Sequence, residues 1–260
     1  IVIGELNWRQ YKKKLIICCS PTLHNESLKQ SSIIDNYTNH LSINNITNEH
    51  IPVIKSNLQK CIRRSLIEKS IVSAMTLFCL NKNDLLRRLP IIMLEDTTLN
   101  YHFINLVWFM CAFSKGFQIS ENILEYILGI VKYMASTNTR EIMKDGENIP
   151  INLRNLLKNN KELTTIDIDL LWSLQLRKAY GGLNGDIIML DYYTFEWYDR
   201  FINNKLNLDI NIDKLDVKYV RLFNTKIIHP SAIDFHCTGI LKQLIKKYNN
   251  IEKEDIKNAM

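Results

Sequence analysis

A chain of 260 residues with 46% hydrophobic side chains is long enough to bury a core, which excludes a wholly disordered protein. Only 8 glycines and 5 prolines are available for turns, which excludes a many-stranded sandwich or barrel and favours long helices. The formal charge of +6 says little as a sum, because lysine, asparagine and isoleucine are abundant throughout, but its distribution is polarised. Residues 55–90 carry eight basic side chains against Glu68 and Asp84, whereas residues 186–216 carry seven carboxylates against Arg200, Lys205 and Lys214.

In chain order, Leu15 to Cys19 is an apolar run entered from three lysines and stopped by Ser20 and Pro21, which predicts a short buried strand or clasp. Residues 25–48 are rich in Ser, Asn and Thr, so residues 1–55 are expected to form an N-terminal strand and a loop-like arm. The pattern then turns helical. A helix is expected near 57–64, followed by a capping box in which Ser65 and Glu68 open a second helix carrying Ile67, Ile71, Met75, Phe78 and Cys79 on one face. Asp84 is expected to cap a third helix with Leu85, Leu86, Leu89 and Ile92, kinked at Pro90 because proline has no amide to donate.

Residues 101–113 are apolar almost all round and predict a central buried helix, and Ser120 caps another with Ile123, Leu124, Ile127, Leu128, Val131 and Met134. A polar stretch over 135–150 separates these from a helix near 167–179, a glycine-rich turn at Gly181 to Gly185, and a helix from Asp186 to Phe201 with Asp186 as its N-cap. Residues 203–216 alternate Leu206, Leu208, Ile210 and Ile212 with polar residues and predict an extended arm. A last helix is expected over 232–248. The fold class is therefore mainly α: a helical bundle over 56–137, a second helical region over 150–260, and a short extended segment at the N-terminus.

The chemistry-bearing motifs are sparse. The six cysteines form no CxxC, and Cys61, Cys79 and Cys111 sit inside apolar helical patterns, so a reducing intracellular compartment is expected. The longest apolar stretch, 103–113, is far short of the about 20 residues a membrane span needs, so no membrane partner is expected. The glycines at 181–185 match neither a P-loop nor a dinucleotide loop, and HExxH and GxSxG are absent, so no cofactor and no enzymatic activity are expected.

Two acidic or metal-binding groupings compete with that reading. His229, Asp234, His236 and Cys237 have metal-ligating side chains but no zinc spacing, and Asp186, Asp191, Glu196 and Asp199 could hold Mg²⁺ only if their helical spacing brought them together. A divergent metal-dependent enzyme of nucleic-acid metabolism would draw on Asp186, Asp191, Asp234 and His236. The best-placed charges are Arg63, Arg64, Arg87 and Arg88, with Lys60, in a chain that otherwise uses arginine sparingly. Guanidinium forks suit phosphate or carboxylate, so these residues predict a patch for DNA, RNA or an acidic protein. The competing reading is that one member of each pair bridges helices to Glu95 or Asp96.

Leu58 to Ser65, then Ala74 to Leu77, then Leu86 to Leu89 and Glu95-Asp96, resemble the C-terminal helical region of the RarA/MgsA/Werner-interacting family of AAA+ ATPases. The resemblance covers residues 58–135 and departs from the family at Pro90 and at Thr97-Thr98. It implies a clamp-loader-like helical collar that makes subunit contacts. No Walker motif is present, so ATP hydrolysis is not implied. The expected function is a non-enzymatic accessory or scaffold subunit of a nucleic-acid-processing assembly, with other protein subunits or copies of itself as partners. A structural subunit of a large ribonucleoprotein is the third reading.

Overall fold

The helices begin and end where the chain offers local reasons to do so. The computed structural model describes residues 32–137, 139–141, 152–158, 163–203, 210–220, 228–232 and 242. Within these run α1 (Ser32–Ile43), α2 (Ile51–Arg63), α3 (Ile67–Leu80), α4 (Lys82–Asp96), α5 (His102–Phe113), α6 (Glu121–Ser136), α7 (Leu153–Lys158), α8 (Thr165–Ala179) and α9 (Asn184–Asn203). Three single 3-10 turns accompany them, and no strand occurs among the described residues. The protein is mainly α. The strand expected at 15–19 and the helix expected beyond residue 232 lie outside the described residues.

The loop-like arm is corrected over its second half. Ile34, Tyr37 and Leu41 are spaced i, i+3, i+7 and are buried against α3. The Tyr37 hydroxyl lies 3.0 Å from Thr76 Oγ1, whose own proton goes to the Val72 carbonyl at 2.8 Å. Polar residues on the solvent side of α1 masked that three-residue stripe. α2 also starts earlier than expected, at Ile51, with Pro52 in its first turn where a missing amide costs nothing.

Ser65 is likewise not a helix start. It takes φ +56°, donates its amide to Ile62, and lets Leu66 donate to Cys61. That is a helix stop, in which one left-handed residue turns the chain so that stranded carbonyls are satisfied. Asn45 (φ +55°) closes α1 and Gly116 (φ +93°) closes α5 with the same pair of bonds. Asn81 rather than Asp84 caps α4, accepting from the Asp84 amide at 3.1 Å, and α4 continues past the buried Pro90 to Asp96. Ser120 caps α6 as expected. The central helix is less buried than its composition predicts: Phe103, Leu106, Val107 and Met110 face inward, while Asn105 is exposed and Trp108 and Phe109 are half-covered.

α3 packs on α2 and α6, α4 packs on α3 and α5, and α5 carries α8, which pairs with α9. One contiguous core runs from Ile34 to Ala232 and takes in both of the regions distinguished in the sequence. Tyr193 on α9 donates to the Leu94 carbonyl of α4 at 2.8 Å, joining the two. No helix among the described residues is long and apolar enough to cross a membrane.

Two later segments strap onto the bundle. Residues 204–209 of the expected arm lie outside the described residues, and residues 210–216 form neither helix nor strand. They lie along α6, where Leu215 donates to the Glu125 carbonyl at 3.2 Å and Val217 to its carboxylate at 3.4 Å. His102 Nε2 meets the Ile210 carbonyl at 2.7 Å and must donate to it. The ring's other nitrogen therefore accepts from the Tyr126 hydroxyl, which in turn accepts from Asn105 at 2.6 Å.

The second strap is residues 228–232. Asn57, fully buried on α2, accepts from the His229 amide at 2.7 Å and donates to Ser73 at 2.7 Å. The His229 ring accepts from the Ser231 amide at 3.3 Å, which requires Nδ1 to be unprotonated. Burial, with Arg64 and Lys69 nearby, holds the His229 pKa below its ordinary value. A base whose folded pKa is depressed contributes stability at high pH that is lost as pH falls through the unfolded value, about 6.5. Exchange of the Ala232 amide, which donates to the His229 carbonyl at 2.9 Å, should therefore accelerate from pH 7.5 to 5.5 beyond the intrinsic correction. In a His229→Gln chain that extra acceleration should vanish, and its persistence would place the sensitivity elsewhere.

Candidate functional site

The basic segment and the acidic end of α4 meet in one lattice. Asp96 is the last residue of α4, where the helix dipole already disfavours a negative charge, and its side chain is 0% exposed. Arg63, at the end of α2, donates to it through Nε at 2.5 Å and through Nη2 at 3.3 Å. Gln59, one turn earlier on α2, orients its amide by the same charges. Its nitrogen donates to Glu95 Oε2 at 2.6 Å and to Asp96 Oδ2 at 2.9 Å, and its oxygen accepts from Arg88 Nη2. Arg88 also pairs with Glu95 at 3.5 Å. Arg140 closes the end by donating to the Glu95 carbonyl at 3.0 Å.

Burial and the neighbouring Asp96 push the Glu95 carboxyl above its ordinary pKa, against the pull of Arg88. A second set of arginines holds α8 to α4. Arg87 donates to the Tyr180 carbonyl at 2.8 Å, while Arg177 donates to the Arg87 carbonyl at 3.2 Å and to the Gly181 carbonyl at 2.7 Å. Positive side chains there complement the negative end of α8. Arg177 is 3% exposed, and burial together with Arg87 lowers its pKa to about 10.

The predicted basic patch is thus divided. Arg63 takes an interhelical salt bridge to Asp96, Arg88 pairs with Glu95 within α4 and donates across to Gln59 of α2, and Arg87 caps a helix. Arg64 is exposed, and among the described residues its guanidinium donates to the Lys60 carbonyl of its own helix, at 3.5 Å. Of the five expected binding residues, Arg63, Arg87 and Arg88 are held in these contacts.

The acidic residues are also separated by their partners. Asp191 pairs with Lys178 at 2.6 Å, Glu196 with Arg200 at 3.2 Å, and Asp199 accepts from Asn203 at 2.8 Å. Asp186 is not the N-cap of α9, which begins at Asn184; it reaches back to the Leu183 amide at 3.4 Å. Gly181 supplies the positive φ the turn needs, +75°. Asp234, His236 and Cys237 lie outside the described residues, and among those described no group of three or more His, Cys, Asp or Glu side chains could hold a metal. Burial lifts the Cys61, Cys79 and Cys111 thiols to about 11, which leaves them unreactive.

Sequence reasoning missed Asn57, Gln59 and Arg177. A signal existed for two of them: Arg177 extends the buried stripe Leu170, Leu174, and Asn57 sits between Ile54 and Cys61 on the buried stripe of α2. A polar residue on an apolar stripe implies a satisfied partner. No protein-family model, no curated protein and no solved structure matches the chain.

Proposed function

We propose that this chain is a non-enzymatic accessory or scaffold subunit of a nucleic-acid-processing assembly, working through helical contacts with other protein subunits. The observation that carries the reading is the two-sided character of α9. Its inner side buries Met189, Leu190, Tyr193 and Trp197. Its other side carries the partly exposed Ile188 and Phe195, the latter 40% exposed, with Tyr192 between them packed partly against the core. A surface helix needs one apolar stripe, and a second suits a partner. The arginine lattice supports the same reading, because charges tied between helices stiffen a platform. The resemblance of residues 58–135 to a clamp-loader-like collar points the same way, and a nucleic-acid contact would draw on the exposed Arg64.

The tagged chain, recovered at physiological salt, is expected to carry a protein partner in fixed stoichiometry or to run as a multimer by light scattering. Phe195→Asp should abolish that association and leave the circular dichroism spectrum unchanged. A monomeric wild-type chain, or an association indifferent to Phe195→Asp, would remove the support for this interface.

A further inference from the structure

We propose that a cleft between α2 and the α8–α9 turn binds a small phosphate monoester. The inference is independent of the scaffold reading. The cleft encloses about 340 Å³ and is lined by Pro52, Lys55, Ser56, Gln59, Arg88 and Leu183. That is the size of a small ligand site. Four of these residues fall at i, i+3, i+4, i+7 on α2, so one helix face forms a whole wall. Arg88 and Leu183 bring the opposite wall from α4 and from the turn.

The polar groups there suit a tetrahedral anion. Lys55 makes one ion pair, to Asp84 at 3.3 Å, and an ammonium has three donors. Arg88 spends Nη2 on Gln59 and Glu95, and its Nε and Nη1 donors have no protein partner among the described residues. A point charge from one wall and a planar fork from the other fit a phosphate, whose oxygens point in several directions; a carboxylate is served by the fork alone.

The surroundings favour negative charge. Behind Arg88 stand Arg87 and Arg177, whose hydrogen bonds go to carbonyls rather than carboxylates. Burial is the main cause of the depressed Arg177 pKa, and Arg87 and Arg88 add to it. Asp84, Glu95 and Asp186 offset this positive charge in part. At the mouth, Leu183 is 64% exposed and Pro52 is exposed, so the organic body of a monoester would rest against apolar surface.

Titrating inorganic phosphate into the full chain, with chloride balancing the ionic strength, should raise Tm saturably with a millimolar midpoint. Lys55→Gln, which removes only a partly exposed ion pair and should fold, is expected to weaken phosphate about tenfold, the effect of losing one charged hydrogen bond. Leu183→Asp should weaken it as well, by setting a like charge at the mouth. Lys132→Gln, an equal charge change on α6 outside the cleft, should leave affinity unchanged. The proposal is overturned if phosphate gives no saturable shift over chloride, if Lys55→Gln binds as tightly as wild type, or if Lys132→Gln weakens binding equally.

Discussion

Asp96→Ala should lower the free energy of unfolding by about 3–5 kcal/mol, the effect of breaking a buried ion pair from one side. The carboxylate has no exposed surface and serves Arg63 and Gln59 by hydrogen bonds and Arg140 by an ion pair at 3.8 Å. Its loss strands a half-buried guanidinium and an amide whose orientation it helps to set. Arg63→Gln should cost less, because Arg63 is 35% exposed and water compensates in part. Denaturant melts of both variants and the double mutant would give the coupling. If Asp96→Ala lost under 1 kcal/mol, the lattice would be decoration rather than structure.

The same lattice shows what could be read from the chain and what could not. Helix identity was legible wherever a stripe was long: Ile123 through Met134 gave α6 with its Ser120 cap. It failed at α1, because three apolar residues among serines and asparagines are too few to outweigh loop composition. It failed at Ser65, because a helix stop and a helix start share residue types and differ only in the sign of φ. The arginine pairs were visible, as was the alternative that Glu95 and Asp96 would claim one member of each. Sequence could not show that Gln59 would sit between them, because an amide joining two helices leaves no periodic trace.

Gly129→Ala should act in opposite directions on two parts of the molecule. A Cβ on Gly129 would overlap the Asp213 carbonyl oxygen and stand 3.0 Å from the Ile212 methyl group. Glycine is there so that the strap can lie against α6. Alanine favours the helix by up to about 1 kcal/mol, so α6 itself should hold or gain stability. The strap should lift. The amides of Leu215 and Val217, which donate to Glu125, should then exchange roughly tenfold faster or more, as expected when a bond worth about 1 kcal/mol each is lost. A variant in which those two amides stay protected would show that the strap is anchored by His102 and Tyr126 instead.

The bond from the His229 amide to Asn57 spans 172 residues, and on a ribosome that span is time. At roughly 5–20 residues per second, Asn57 leaves the exit tunnel about 10–35 seconds before the His229 amide does. During that interval the Asn57 oxygen, destined for a fully buried position, can turn to the weak Cys61 thiol at 3.5 Å within its own helix. Water must fill the place of His229 until the strap arrives. The part of α2 around Asn57 therefore stays wet through most of synthesis, and the bundle dries last where its most distant parts of chain meet.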